Sequence, residues 1–439
     1  MTTDVVVIGG GPAGIAAATR AAQDGRNVVL LDESPNVGGQ IWRHRSRSSL
    51  DAEARRRVER LGRTRAEVQN GTAVVDVSPD ADGSAVTVVA ERLTGEPVSI
   101  RARALVIATG ARERFVPFPG WTLPRVYGIG GAQALLKQGM SFAGTRVVIA
   151  GTGPLMLPVA ASLTAGRARV RLVAEQAPFA RVRDFGLGLL AHPDTLLQAM
   201  MYRLGFLLTP YSFGAWVVSA GGSDRLTHVI VTDGRKQWRV DCDVLCTGYG
   251  LVPNVEVARL VGCAVVNGSV RVDDRQATTV RNVFAAGEVT GIGGVGLAVV
   301  EGEIAGAAAA GASRIETALL RRRVALREMA LRMERTFALR AELRQIPRHD
   351  TIVCRCEDVR IASLGGLGDA RQAKLYTRAG MGACQGRVCG PAVEFLYGWE
   401  PGTVRSPLEP VRLATLAVMA SAVAAASPSS APADASLRS

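Results

Sequence analysis

The run Asp4-Val5-Val6-Val7-Ile8 passes without a linker into Gly9-Gly10-Gly11-Pro12-Ala13-Gly14 and then into the alanine-rich stretch Ile15 to Gln23. Nothing else in the chain constrains its fold as tightly. An unbroken apolar run of β-formers reads as a strand buried on both faces, as in a parallel sheet covered by helices. The glycines then have separate tasks. Gly9 permits the tight turn, Gly11 lets the backbone approach a pyrophosphate, and Gly14 allows the helix to lie close on the strand. Pro12 and Ala13 complete the loop, and the helix N-terminus turns its positive end toward the phosphates. A second strand is expected over Asn27 to Leu31, ending at Asp32-Glu33. Asp32 thus stands about 20 residues beyond the loop, where this fold places a ribose-hydroxyl acceptor.

The glycine loop alone does not separate FAD from NAD, so later segments decide. Pro35 to Gln40 carries Gly38-Gly39-Gln40 behind the acid, Ala104 to Gly110 is a strand ending in Ala108-Thr109-Gly110, and Val283 to Glu288 is another ending in Gly287-Glu288. Together they resemble the FAD-contact segments of the glutathione-reductase-like flavoproteins. The resemblance implies that Gly287-Glu288 meets the ribityl and pyrophosphate region, and that a helix from Gly294-Val295 aims its amides at the flavin ring. Glu288 stands where the resemblance has Asp. A second unit repeats the logic: strand Arg146 to Ala150, the turn Gly151-Thr152-Gly153-Pro154, a helix Leu157 to Ala165, and a strand Val170 to Ala174 ending near Glu175. Its third glycine position holds Met156, which crowds helix against sheet, so NAD(P), another nucleotide or a purely structural role all stay open there.

At 439 residues the chain exceeds one growing core. The expected fold class is α/β: a two-dinucleotide-domain flavoprotein of nested Rossmann-like folds with a small C-terminal four-cysteine domain. The FAD domain is expected over 1–118 and 255–315, the nested domain over 119–254, a helical connector over 316–345, the cysteine domain over 346–402, and a partly disordered tail over 403–439. Ser313 to Arg344 is arginine-rich, with Met329, Met333 and Phe337 on one face, and reads as a solvated connecting helix. The uncharged stretch Leu413 to Ala433 is rich in Ala, Ser and Pro and reads as a frayed or partly helical tail rather than a membrane span.

A net charge of +13 raises the question of nucleic acid, but the positives are dispersed, aromatics are 5%, and no recognition motif accompanies them. Met1-Thr2-Thr3 leads directly into the first strand without an apolar targeting region, so a cytoplasmic location is expected. Seven cysteines sit unevenly, four of them between positions 354 and 389. Cys242 and Cys246 bracket a predicted buried strand and read as core cysteines, and no Cys-x-x-Cys lies near the flavin segments.

Cys354-Arg355-Cys356 and Cys384-Gln385-Gly386-Arg387-Val388-Cys389 form a Cys-x-Cys and Cys-x4-Cys pair of turns. In an intracellular chain such a set reads as a metal site rather than disulfides. Four thiolates suit a [2Fe-2S] cluster or zinc, and the one-residue gap is less typical of zinc knuckles. A neighbouring flavin gives a one-electron carrier a use, which favours the cluster over Cys354, Cys356, Cys384 and Cys389. This segment resembles the bacterioferritin-associated-ferredoxin type of [2Fe-2S] domain, including Gly380-Met381-Gly382 before the second pair and Gly390-Pro391 after it. From Met1 to about Trp399, with Gly38-Gly39-Gln40-Ile41 and Gly128-Ile129-Gly130-Gly131-Ala132-Gln133, the chain resembles the alpha or A-type subunits of the opine oxidases, hydrogen cyanide synthase and D-hydroxyproline dehydrogenase. The resemblance implies an electron-relaying subunit whose partners are a D-amino-acid-oxidase-like flavin subunit and a small ferredoxin-like subunit. Two other readings stay open: a stand-alone NAD(P)H-dependent reductase, and a non-enzymatic assembly subunit holding nucleotide and zinc.

Overall fold

The computed structural model describes residues 1–46, 50–400 and 402–426. Strand Thr2–Ile8 lies between Val28–Asp32 and Pro97–Ile107 and is parallel to both, with Val5 opposite Val28 on one side and Ala104 on the other. Val5, Val6 and Val7 are wholly buried, as an unbroken apolar run requires. Glu67–Asn70 extends the parallel sheet outward. The long strand Pro97–Ile107 changes partners along its length. Its first half pairs antiparallel with Val86–Arg92, whereas Leu105, Val106 and Ile107 pair parallel with Val283–Ala285. That pairing carries the segment at 283–288 to the same sheet end as the opening glycine loop.

Helix Pro12–Gln23 covers one sheet face and packs on helix Gly294–Ala309. The two backbones are in near contact: a Cβ at Gly302 would stand 2.2 Å from the Ala13 carbonyl oxygen, and one at Gly306 would stand 2.4 Å from that of Ala17. Small residues on both helices are therefore a packing requirement.

The second sheet is fully parallel, in the order Tyr211–Phe213, Arg169–Glu175, Arg146–Gly151, Val244–Gly248 and Val126–Gly128. A three-stranded antiparallel sheet over Trp216–Gly221, His228–Thr232 and Gln237–Asp241 lies beside it. The chain crosses between the mixed first sheet and the parallel second sheet on paired strands, Ala111–Glu113 antiparallel to Leu251–Pro253.

One sequence expectation needs correction. The arginine-rich stretch does form a helix, Thr317–Thr336, but it is docked rather than solvated. Ala330 is buried, Leu326 meets the helix at Gly296, and Arg327 reaches Glu301, which has no solvent exposure. A fully buried carboxyl needs charged or hydrogen-bonding partners, and for Glu301 Arg327 is one of them, which ties the two helices together. The tail carries a helix, Leu413–Ala426, laid on the outer strands of the first sheet, with Met419 against Val75 and Val89. Thr415 donates its hydroxyl, and Arg412 its amide, to the Glu91 carboxylate. Residues 427–439 of that expected tail lie outside the described residues. Among the described residues no helix is long and apolar enough to cross a membrane.

Between connector and tail, Ile352–Cys354 pairs with Val359–Arg360, and helices Ala370–Thr377 and Cys389–Tyr397 close around Val353, Leu364, Ala373 and Val393. This small unit seats on the second fold. The Trp121 indole donates to the Ile352 carbonyl at 2.6 Å, and Phe395 packs into the core that holds Tyr249 and Leu343.

Candidate functional site

The opening loop is as tight as its sequence implied. A Cβ at Gly9 would stand 2.3 Å from the Ala108 carbonyl oxygen, and one at Gly14 would stand 1.8 Å from that of Gly9. Neither position admits another residue without opening the loop. Asp32 sits at the end of its strand, buried, and accepts the Gly10 amide on one oxygen and the Ser34 amide on the other. It thus anchors the loop as well as standing where a ribose acceptor is expected. Glu33 is exposed at the rim, in the electrostatic field of Glu409 and Arg387. Gly39 folds back so that a Cβ on it would stand 3.0 Å from the Gly11 Cα, and Gly287 lies against Ala13. Gln40 is exposed beside them.

The loop, Asp32, Gly39, Ala108 and Gly287 therefore come together at one sheet end. Gly110 and Gly294 have nothing within 4 Å of a Cβ position, so both face open space there. Side-chain-free backbone of this kind is what a dinucleotide needs for close approach. The Nε of Arg43, buried without a hydrogen-bond partner, supplies a waiting cation near Glu33. These residues fit FAD.

Two site residues behave in ways the sequence did not show. Glu288, longer than the expected Asp, curls back to accept the Gly294 amide at 2.8 Å and the Gly293 amide at 3.3 Å, and burial raises its pKa. It caps the helix whose amides were expected to face the ring; Val295, on that first turn, packs toward the core. Glu301, further along the same helix, accepts the Gly287 amide at 3.0 Å, the Thr290 hydroxyl at 2.8 Å and Arg327 at 3.1 Å. Its sequence signal was that it is one of two glutamates, with Glu303, inside an otherwise uncharged helix.

Asn254 and Arg112 were also missed. Asn254 and Thr109 bond reciprocally, Thr109 Oγ1 to the Asn254 carbonyl at 2.6 Å and Asn254 Nδ2 to the Thr109 carbonyl at 2.9 Å. Arg112 joins Asn254 Oδ1 at 2.7 Å, Glu256 at 2.8 Å and the carbonyl of Arg387 at 3.0 Å. Since Arg387 lies between Cys384 and Cys389, one guanidinium ties the flavin-side segment to the cysteine loop. Glu113, on the same crossing strand, accepts the Gly130 and Gly131 amides, and burial raises its pKa. A Cβ at Gly128 would stand 2.2 Å from that carboxylate, so this glycine-rich stretch makes room for an internal cap.

The four late cysteines meet as two pairs. Cys356 interacts with Cys384 and Cys354 with Cys389, and Cys354 and Cys384 each lie within electrostatic range of the other pair. Cys354 and Cys389 are buried, whereas Cys356 is exposed. Gly382 is required beside them, since a Cβ there would stand 2.2 Å from that of Cys356. Among the described residues no three His, Cys, Asp or Glu side chains are arranged to hold a metal ion as they stand.

A family model, "pyridine nucleotide-disulphide oxidoreductase", matches residues 3–313. The chain belongs to this family. Membership, together with flavoprotein relatives, makes it an FAD-dependent oxidoreductase of the FAD/NAD-binding α/β fold. The matched residues stop short of the cysteine unit. The HcnB subunit of hydrogen cyanide synthase from Pseudomonas aeruginosa is 33% identical, covering 88% of this chain and 90% of that one. The A-type subunit of opine oxidase from Agrobacterium tumefaciens is 30% identical, covering 94% and 91%. Among solved structures, L-proline dehydrogenase from P. horikoshii superposes with a TM-score of 0.68 at 21% identity over 95% of this chain and 79% of that one, so the likeness of fold extends past the family match. Thioredoxin reductase from T. acidophilum gives 0.56 at 22% identity over 71% and 99%. Cys242 and Cys246 are buried in separate cores, and burial pushes each thiol up to about 12.

Proposed function

We propose that this chain is the FAD- and [2Fe-2S]-containing electron-transfer subunit of an amino- or imino-acid dehydrogenase complex of opine, hydroxyproline or glycine type. It receives electrons from a D-amino-acid-oxidase-like flavin subunit, with a small ferredoxin-like subunit as a further partner, and delivers them to an acceptor. The observation that carries this reading is that two turns bring Cys354, Cys356, Cys384 and Cys389 into mutual electrostatic range, in a unit joined through Arg112 to the crossing strand. Two thiolates for each of two irons is the ligand demand of a [2Fe-2S] centre, and two pairs of cysteines match it. Bound FAD supplies exchange between two-electron and one-electron transfer, which makes the neighbourhood of the two sites useful. The relatives from hydrogen cyanide synthase and opine oxidase, each named as one subunit of its enzyme, support the hetero-oligomeric part of the reading.

In this reading the protein's own residues position rather than react. Gly9, Gly11, Pro12, Ala13 and Gly14 hold the FAD pyrophosphate, and Asp32 with Glu33 the ribose. Gly39, Gln40, Ala108, Thr109, Gly110, Gly287, Glu288, Gly294 and Val295 line its course. Cys354, Cys356, Cys384 and Cys389 hold the cluster. The test is composition and spectrum of the anaerobically purified chain. The expected result is a yellow-brown protein with iron and acid-labile sulfide in equal amounts, and Cys356→Ser or Cys389→Ser loses iron while keeping FAD. A protein without iron, or one that oxidises opines, hydroxyproline or glycine unaided, overturns the proposal.

A further inference from the structure

The two dinucleotide folds of this chain differ in what occupies the crevice at the carboxyl ends of their strands, where such folds take their ligands. In the first, the helix begins at Pro12, directly behind Gly11, and Ile15 donates back to the Gly11 carbonyl at 2.9 Å. The opening turn of a helix has no intrahelical acceptor for its amides, which leaves them for a phosphate. In the second, Met156 stands at the position of Gly14. Its side chain is fully buried beside Val159, Ala160 and Leu163, and the helix begins only at Met156 itself, two residues later than its counterpart. The turn before it tightens to compensate: Met156 donates to the Gly153 carbonyl at 3.2 Å and Leu157 to that of Pro154 at 3.1 Å. The Gly153 amide is likewise engaged, by Glu175 at 2.8 Å, and the Thr152 amide by the Gly248 carbonyl at 2.9 Å.

The acid of the second fold is closed off as well. Glu175 has no solvent exposure; it accepts the Thr152 hydroxyl and the Ala177 amide on one oxygen and Gly153 on the other. Above it lies the chain's own backbone. Gln176, also fully buried, donates Nε2 to the Ala338 carbonyl at 3.2 Å and accepts the Arg340 amide on Oε1 at 3.2 Å. Thr152 Oγ1 is 3.3 Å from the Phe337 carbonyl. The Phe337 ring packs on Phe185 at 5.6 Å between centroids, and the Arg340 guanidinium covers Trp216 at 4.4 Å. Residues 337–340 thereby run across the place where an adenosine would meet the acid.

We propose that the second dinucleotide fold takes this segment of its own chain in place of a pyridine nucleotide, with Thr152 and Gln176 recognising its backbone as a ribose would otherwise be recognised. The fold is then a dock. It fixes the C-terminal end of the connector helix and, through Leu343 and Ile346 in the adjoining core, the cysteine unit that follows. Hydride from NADH or NADPH has no seat at this fold, so reducing equivalents reach the flavin by another route. The inference rests on the second fold alone and stands whether or not iron is present.

The test uses the full-length, FAD-loaded protein, titrated calorimetrically with NADH, NADPH and NAD and followed by hydrogen-exchange mass spectrometry. The expected result is no saturable binding up to about 1 mM and no protection over residues 151–156. Gln176→Ala is expected to speed exchange across 337–345 by about 10-fold or more, through local opening, with FAD content unchanged. Should Gln176→Ala not fold, Arg340→Ala, which uncovers Trp216, provides the same readout. Saturable NADH or NADPH binding below about 100 μM with protection of residues 151–156, or unaltered exchange at 337–345 in the folded variant, overturns the proposal.

Discussion

Glu175 illustrates how much a single buried carboxyl reports. Burial raises its pKa from 4.5 to about 7, against the opposing pull of three hydrogen-bond donors. Below pH 4.5 the group is protonated whether the chain is folded or not. Between pH 4.5 and about 7 the folded protein keeps a proton that the unfolded chain has released, so this residue makes stability fall as pH rises through that window, and above it the loss is constant. Glu175→Gln is expected to flatten the slope of melting temperature against pH across that interval, and a series of thermal melts checks it. An unchanged slope would mean that the carboxyl is hydrated in solution.

At the scale of elements, the charge within helix Gly294–Ala309 matters most. Glu301 links three pieces: the Gly287–Thr290 turn beside the opening glycine loop, its own helix, and the connector helix through Arg327. Removing one partner of a buried pair leaves the other uncompensated, at a cost of about 3–5 kcal/mol. Glu301→Ala is therefore expected to lower the melting temperature sharply and to release FAD, measured by denaturation and by flavin absorbance after gel filtration. Among the described residues the Gly287 amide bonds to no other carboxylate, which is why flavin retention should respond along with stability. Neither the docking of the connector nor this role of Glu301 was legible in the sequence. Periodicity identifies a helix and its apolar side, but not which distant cation meets a given anion.

For the molecule as a whole, Arg112 is a short link between the Thr109–Asn254 pair beside the opening loop and the cysteine loop. Its charged guanidinium makes three bonds, to Asn254, Glu256 and the Arg387 carbonyl, and hydrogen bonds to a charged group contribute about 1.5–3 kcal/mol each. Arg112→Ala is expected to keep FAD while loosening residues 384–389, seen as faster hydrogen exchange there and a second, earlier thermal transition. If the unit stays as protected as before, its seat on Trp121 and Phe395 is sufficient alone. The cysteine spacing was readable because two short ligand turns are local patterns. That the turns lie against the flavin-side strand was not readable, because it depends on a contact between positions 112 and 387.

The sequence by itself determined the elements whose signals are local: the opening strand, glycine loop and helix, the acid at position 32, the repeat of that pattern at 146–175, and the two cysteine turns. These are set by steric and periodic rules acting over a few neighbouring residues, so each is written within a short window. Tertiary structure alone decided how they are used. Met156 announced crowding, but only the packed core shows the helix yielding two residues and the connector filling the crevice above. Glu288 announced an extra methylene, and only the folded turn directs it onto its own helix. Burial creates these demands by removing water as a partner, and what satisfies them is whichever group the fold brings near.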